Sequence, residues 1–438
     1  MSRIHWHADW LSVEGALERV LRRTRPLGAE RVPALTALGR TLAEEIRASA
    51  DHPPWDASAM DGYAVRAADV VGASAHRPVP LMVIEEVPAG GLPERNLGPG
   101  QATRVMTGAP VPLGADSVIR VEHTAGWATR TDGTGWAGVG ETVAITSDAD
   151  AGKNVRRRGE DVREGDIVVP RGRVLRAAEI GAAAMAGRLH LRVHRRPVVA
   201  ILSNGDELIE PDDRAGAIGG RRVVNSNAHA LAAAVLSAGA EPRMLGIARD
   251  NEDDIRTHLA GVTGADVLIT TAGASVGEFD LVRAVLDEVG FELEFWRIRM
   301  QPGSPFFFGR LGDTVVFGLP GNPVSALVTF EVLVRPALRH MAGRSAVHNR
   351  TLVVRTAERI PPGIDRTRFL RVRLEPGERD GEPIARLTGP QGSGISTSLV
   401  AADALMIVPA RDGVIEAGER LTAIPLLEPD PGEATPPF

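Results

Sequence analysis

Apolar positions along the chain change their spacing at a few places, and each change marks a boundary. Over residues 12–24, Val13, Ala16, Leu17, Val20 and Leu21 recur at the spacing of one helix face, with Ser12 placed to cap it. Residues 33–48 continue as a mixed segment. From about 49 to 150, short β-type runs such as PVPLMVIEEV, SVIRVEHT and ETVAITS alternate with the turn clusters PAGG, LGPGQ and TDGTGWAG. That pattern predicts an all-β insert. An alanine-rich, helix-like run near 174–188 rejoins the first helical segment across the insert, which predicts one discontinuous domain.

Residues 197–345 read differently. Apolar runs (PVVAILS, EPRMLGIA, ADVLITTAG, DTVVFGLPG) alternate with helical patterns (NSNAHALAAAVLSAG, NEDDIRTHLAGV, DLVRAVLDEV, PVSALVTFEVLVRPAL). Such alternation predicts a mostly parallel sheet covered by helices on both faces, with ligands bound beyond the carboxyl ends of its strands. Residues 350–428 return to β-type runs, and the tail EPDPGEATPPF has the proline-rich, acidic composition of a disordered segment. No internal repeat is visible. The domains expected are therefore 1–48 with 151–192 (discontinuous and helical), 49–150 (the β insert), 193–346 (α/β) and 347–428 (β), followed by a tail, 429–438.

Composition narrows the chemistry. A chain of 438 residues is long enough for several cores, and its formal net charge of −6 gives no basic field to attract nucleic acid. Cysteine is absent, which excludes disulfides, thiolate metal sites and a thiol nucleophile and fits a reducing cytosol. The first residues, MSRIHWHADW, lack the apolar core of a signal peptide, and no run reaches the length of a membrane helix. The histidines show no metal spacing, and no nucleophile–base pair stands out.

The strand-end loops carry the candidate chemistry. After VVAIL comes Ser203-Asn204-Gly205-Asp206-Glu207; after DVLIT comes TAGASVGEFD, with Ser275, Gly277 and Asp280; after TVVFG comes LPGNPVSA, with Asn322 as an expected N-cap and Pro323 at N1. Each loop taken alone is either a plain turn or an anion cradle of backbone N–H groups. Together, with Asp206, Glu207, Asp250 and Asp280 beside them, they suggest a phosphate or oxyanion site with a divalent cation on hard oxygen ligands, although each carboxylate singly also suits a helix cap. Outside this segment, PPWDASAMDGYAV places Asp56, Ser58 and Asp61 on a loop, VMTGAPVPLGADSVI places Thr107 and Gly108 in a turn, and NVRRRGEDV sets Arg156, Arg157 and Arg158 against Glu160 and Asp161. The stretch FWRIRMQPGSPFFFG forms a stiff loop whose tip, Gln301 to Pro305, carries no charge.

In order along the chain, PPWDASAMDGYAVR, VMTGAPVPLGADSVI, NVRRRGEDV, ILSNGDEL, TTAGASVGEFD, MQPGSPFFFG and GLPGNPVSA resemble the motifs of the MoeA family of molybdopterin molybdotransferases, which includes the C-terminal domain of gephyrin. The resemblance implies a multidomain α/β plus β fold: a central, doubly wound molybdopterin-binding-like domain, a β insert, a helical hinge domain and a C-terminal β-barrel-like domain. It implies a cytoplasmic homodimer whose site lies between one subunit's α/β and C-terminal domains and the partner's β insert. The implied reaction takes adenylylated molybdopterin and molybdate, releases AMP and is assisted by Mg2+. A molybdopterin adenylyltransferase and apo-molybdoenzymes are the implied partners, with neither nucleic acid nor membrane involved.

Residue by residue, the resemblance makes Asp61, Asp161, Glu207, Asp250 and Asp280 the catalytic carboxylates, with Asp250 and Asp280 holding the metal. Thr107, Gly108, Ser275, Gly277, Asn322 and Ser325 fall in its substrate-contacting loops. Pro302, Pro305, Pro320 and Pro323 shape them. Arg366, Arg371 and Ser393 correspond to its anion-facing C-terminal residues.

The chain departs from the family at the loop usually written MKPGKP, whose two lysines are here Gln301 and Ser304. A hydrogen bond to a charged group contributes about 1.5–3 kcal/mol, so each loss weakens anion binding by roughly tenfold to a hundredfold unless replaced. Ala272 also stands where the family has glycine, and Asn204 where it has threonine. Strand alternation puts Arg297, Arg299 and Gln301 on one face, so Arg299 is a candidate replacement cation, beside Arg366 and Arg371. Two other readings stay open at this point: adenylyl transfer by the α/β segment, and a pterin-binding or scaffolding paralog that has lost turnover.

Overall fold

The structure, a computed structural model, describes residues 10–125, 127, 136–213, 222–271, 281–361, 363, 365–377 and 381–426. The chain folds into two compact units, one of Met1–Glu44, Gly172–Arg176 and His190–Phe438 and one of Glu45–Arg171 and Ala177–Leu189. The segments expected to form the hinge are divided between them.

In the first unit, helix α1 (Val13–Arg23) begins where its sequence says: Ser12 Oγ accepts the Gly15 N–H at 3.1 Å, and Arg22 and Arg23 lie in the last turn, where the helix dipole favours cations. The central sheet is made of strands β1 (Val198–Asn204), β2 (Glu241–Ala248), β3 (Val267–Thr271), β4 (Phe291–Trp296), β6 (Phe307–Leu311) and β7 (Thr314–Leu319), with a short strand, β5 (Met300–Gln301), between β4 and β6 in the chain. Its order is β2-β1-β3-β7-β6-β4. The pairs β1–β2, β1–β3 and β3–β7 are parallel, and β7–β6 and β6–β4 are antiparallel. Register places Asn204 beside Ala248, Ser203 beside Thr271 and Thr271 beside Leu319, so the loops leaving the parallel strands start at one common edge.

Strands buried on both faces need apolar residues on both, which is why these runs are continuous rather than alternating. Val199, Ile201, Val267 and Ile269 face α1, α2 (Ser226–Ser237), α5 (Pro323–Thr329) and α6 (Arg335–Met341). Ala200, Leu202 and Leu268 face α3 (Glu252–Leu259) and α4 (Leu281–Glu288). The phenylalanine triplet follows the same rule: Phe306 and Phe308 enter the first layer and Phe307 the second.

The C-terminal strands β8 (Leu352–Thr356), β9 (Thr367–Glu375), β10 (Ile384–Leu387), β11 (Ala404–Val408) and β12 (Arg420–Pro425) run in the order β9-β10-β8-β12-β11, and β9 pairs again with β11 to close a five-stranded barrel. Its interior holds Val354, Leu370, Val372, Met406 and Ala423, whereas Phe369, Leu405 and Ile424 turn outward and join the core beneath the central sheet. Strand β5 adds to β9 in parallel, so the chain between β4 and β6 is stitched to the barrel.

The second unit is built on a five-stranded sheet in the order Ser117–Arg120, Gly62–Val65, Gln101–Val105, Val79–Val87, Thr142–Ile145, as an all-β insert requires. Tyr63, the single tyrosine, is fully buried in it, and its hydroxyl accepts the Ala137 N–H at 2.6 Å. The alanine-rich run forms a helix, Ala177–Met185. Among the described residues, no helix is long and apolar enough to cross a membrane.

Gly318 tests the packing of the triplet. It pairs with Phe307 across β7 and β6, and a Cβ there would lie 1.9 Å from a ring carbon of Phe307. Gly318→Ala is expected to lower stability by about 1–3 kcal/mol, read as a fall in the urea midpoint with little change in slope.

Candidate active site

The carboxyl edge of the parallel strands is held together by buried polar contacts. Thr271 Oγ1 donates to Ser203 Oγ at 3.1 Å, and Ser203 Oγ donates to Asn225 Oδ1 at 3.0 Å. Asn225 in turn caps α2 by accepting the Ala228 N–H. Asn204, where the family has threonine, donates from Nδ2 to the carbonyls of Ala248 and Arg249 at 3.1 and 3.3 Å, tying the end of β1 to the end of β2.

Beyond that tie, two carboxylates answer each other. The Asp206 N–H donates to Asp250 Oδ2 and the Asp250 N–H to Asp206 Oδ1, both at 3.2 Å. Arg249 Nη1 donates to the carbonyls of Asp206 and Leu208 at 3.4 and 3.0 Å, fixing the loop from beneath. Asp206, Glu207 and Asp250 are all exposed, and the two aspartates are brought together from strand ends 44 residues apart. Among the described residues there is no complete cluster of three metal-binding groups. Ala272, Ser275, Gly277 and Asp280 lie outside the described residues.

The second focus is the Gln301–Pro305 loop. The Gln301–Pro302 peptide is cis, Pro302 and Gly303 are buried, and Gly303 has φ +106° with Met300 and Thr329 around it. Only glycine adopts that backbone freely. Ser304 is no substitute for a cation, because its hydroxyl donates to the Met300 carbonyl at 2.6 Å. Gln301 remains exposed. Arg297 does not join the row expected for it: φ of +66° ends the strand after Trp296, and its guanidinium lies 3.9 Å from the Trp296 ring centre and 5.2 Å from that of Trp10. Arg299 keeps its place on the exposed side with Gln301, between buried Ile298 and Met300, and its Nε donates to the Trp10 carbonyl at 2.8 Å.

Two further loops meet at the start of α5. Pro320 is buried, Asn322 occupies the N-cap position and Pro323 is at N1. Asn322 makes no capping bond with its side chain; Nδ2 donates instead to Ser393 Oγ at 3.1 Å, while the Val324 N–H donates to the Ser393 carbonyl at 3.2 Å. Ser325, in the next turn, is buried and accepts through its carbonyl from Thr329 Oγ1. Helix α2 reaches the same loop, with Asn227 Nδ2 donating to the Gly321 carbonyl at 2.7 Å.

Arg371 departs most from expectation. It is fully buried and does not face an open anion site. Nε donates to Ser398 Oγ at 2.9 Å and Nη2 to the carbonyls of Pro390 and Gly392 at 3.3 and 3.0 Å, while its backbone and the Gln391 side-chain amide exchange two hydrogen bonds. Burial lowers its pKa, yet a guanidinium stays charged, so it requires these acceptors. Arg371 therefore positions the loop that carries Ser393. Arg366 is also committed, through a two-point contact with Asp365 at 2.7 and 2.8 Å that raises its pKa.

In the second unit, Asp61 and Thr107 meet from separate motifs. Asp61 Oδ1 accepts the Thr107 N–H at 2.7 Å and its hydroxyl at 2.8 Å, and Gly108 turns the chain at φ +85°. The Thr107 N–H first, then its hydroxyl, hold Asp61 below the usual carboxylate range against the opposing effect of burial. Two guanidinium groups of the arginine triplet reach acids outside their own motif, while Glu160 accepts the Arg157 N–H at 2.7 Å. Arg157 reaches Asp56 and Arg158 reaches Asp51, both at 2.6 Å. Asp161 is exposed, with its N–H donating to the His52 carbonyl at 3.1 Å.

Comparison with known proteins matches three stretches of the chain to one family. Residues 11–187 match the MoeA N-terminal region (domain I and II), 200–340 a probable molybdopterin binding domain, and 353–426 the MoeA C-terminal region (domain IV). A protein named molybdopterin molybdenumtransferase 2 from Mycobacterium tuberculosis (strain ATCC 25618 / H37Rv) is 36% identical over 92% of this chain and 95% of its own length. The chain belongs to the MoeA family.

A Bacillus subtilis (strain 168) family member, named molybdopterin molybdenumtransferase, is 32% identical over 97% of this chain and 96% of its own. The crystal structure of the molybdopterin biosynthesis moeA protein from Pyrococcus horikoshii OT3 superimposes with a TM-score of 0.79 at 30% identity, covering 95% of this chain and all of that one. The multidomain α/β plus β architecture is thus that of the MoeA family. Sequence reading missed Arg249, although its place just before Asp250 at a strand end was a usable signal. The register of β5 and β9 also places Arg368 beside Gln301.

The Asp61–Thr107 contact gives a direct check. Thr107→Val is expected to raise the Asp61 pKa part of the way to an ordinary carboxylate value, because the larger contribution, from the backbone N–H, survives. Carboxyl-carbon NMR titration of both proteins reads this, and Thr107→Ser is expected to keep the wild-type value.

Proposed function

We propose that this chain is a molybdopterin molybdotransferase that inserts molybdate into adenylylated molybdopterin and releases AMP, the final step of molybdenum cofactor biosynthesis. The observation that carries the reading is the convergence on one α/β edge of the Asn204–Glu207 loop, the start of α5 and the barrel loop fixed to it through Ser393. Loops of this kind present backbone N–H groups and hydroxyls to anions, as a pyrophosphate-bearing substrate requires. Breaking that pyrophosphate is governed by positioning and charge neutralisation and calls for no protein nucleophile.

Asp206, Glu207 and Asp250 are exposed carboxylates of the hard-oxygen type that Mg2+ prefers, and each aspartate has one oxygen engaged by a neighbouring N–H, so the residues present fit that ion. Asp250, with Asp280, is proposed to hold it, and Glu207 to help position metal or substrate. When bound, the ion supplies charge to the phosphate oxygens. Asp61, kept ionised by Thr107, and Asp161 are proposed as further catalytic carboxylates. The protein is proposed to work in the cytoplasm as a homodimer, receiving substrate from a molybdopterin adenylyltransferase and passing cofactor to apo-molybdoenzymes. The relatives' names lend no support to a paralog without turnover.

Full-length protein given adenylylated molybdopterin, Mg2+ and molybdate is expected to release AMP in proportion to molybdate at subsaturating concentrations. Asp61→Asn, which keeps an acceptor for Thr107 and loses the charge, is expected to slow release about tenfold or more. Absence of release at millimolar molybdate from folded wild-type protein would contradict the reading.

A further inference from the structure

We propose that Arg368 is the cation that recognises the oxyanion at the Gln301–Pro305 loop. The inference rests on the molybdotransferase reading for the identity of the anion, a tetrahedral dianion that a guanidinium can meet with two parallel N–H donors.

The register of β5 and β9 puts it there. The two strands are parallel, with Met300 beside Thr367 and Gln301 beside Arg368. Paired residues of adjacent strands share a face of the sheet. Met300 and Phe369 belong to the face buried against the α/β core, so Gln301 and Arg368 lie together on the other face. The charge that the loop itself lacks is therefore one strand away.

Arg368 is also available. Its stem packs against Gly363, where a Cβ would come within 3.0 Å of Cδ. Nη1 donates to the Pro361 carbonyl at 2.9 Å, which is the guanidinium's one hydrogen bond among the described residues, and Nε is buried without a partner. None of the ion pairs among the described residues includes it. Burial lowers its pKa without removing its charge. A half-buried cation with incomplete hydrogen bonding and no counterion among the described residues gives up only a neutral carbonyl when it turns toward an anion beside Gln301. The neighbouring arginines are less free: Arg366 is closed on Asp365, Arg371 is sealed in, and Arg299 is anchored to Trp10.

Molybdate binding to full-length protein, followed by calorimetry, tests the assignment independently of turnover. Arg368→Gln is expected to weaken binding about tenfold to a hundredfold. Adding Gln301→Lys to that variant is expected to restore most of the loss, because it returns a charge to the same face, a rescue that a purely structural arginine would not allow. In the AMP assay the same pair is expected to move KM for molybdate more than kcat. Unchanged binding by Arg368→Gln overturns the inference, as does a loss carried by Arg299→Gln alone. Wild type that binds molybdate through Arg368 yet releases no AMP supports the assignment while contradicting the transferase reading.

Discussion

A buried guanidinium must find acceptors, and Arg371 finds them for Nε and Nη2 in one loop. Its donors to Pro390, Gly392 and Ser398, with the reciprocal contact between its backbone and Gln391, force the 389–398 segment to close over strand β9. Leaving such a charge unpaired would cost several kcal/mol, so the loop has little freedom to drift. Ser393 then sits where it can accept from Asn322 and from the Val324 N–H, and the barrel becomes bonded to the first turn of α5. The same strand, three residues earlier, pairs with Gln301. Thus β9 serves as a common frame for two loops that arrive from different parts of the chain.

This frame separates shape from charge. Cis Pro302 and Gly303 give the QPGSP loop its course, and Ser304 closes it internally on Met300. Charge is left to residues outside the loop. At the opposite end of the edge the arrangement is reversed: Asp206 and Asp250 carry the charge, while Asn204 and Arg249 set the backbone that holds them face to face. Parallel strands in register bring Asp206 and Asp250 to one edge, and the pairing of β5 with β9 fixes the QPGSP loop to the barrel.

Much of this was legible in the sequence. The Ser12 cap, the α5 start at Asn322-Pro323 and the alternation of apolar runs with helical patterns all rest on local preferences, and the structure follows them. The candidate carboxylates at 206 and 250 were legible as strand-end acids. What escaped depends on long-range pairing. In RFLRVRL, Arg371 shares its face with Phe369 and Arg373 and looks solvent-facing until a segment some 20 residues later covers it. The Arg157 and Arg158 contacts with Asp56 and Asp51 join positions about 100 residues apart, whereas nearby Glu160 accepts the Arg157 backbone N–H. Arg368 could not be matched to Gln301 without the β5–β9 register. Arg297 left its expected face because a single positive φ broke the strand, which periodicity does not register.

If β9 brings an oxyanion-binding cation to the QPGSP loop, a bound oxyanion must lie between the two. Anomalous scattering from crystals of the full-length protein soaked with tungstate, a heavy isostere of molybdate, tests it most directly. A tungsten peak is expected beside Gln301, with the Arg368 guanidinium turned from Pro361 to within about 3 Å of the tungstate oxygens. A peak held elsewhere, with Arg368 still on the Pro361 carbonyl, would contradict it.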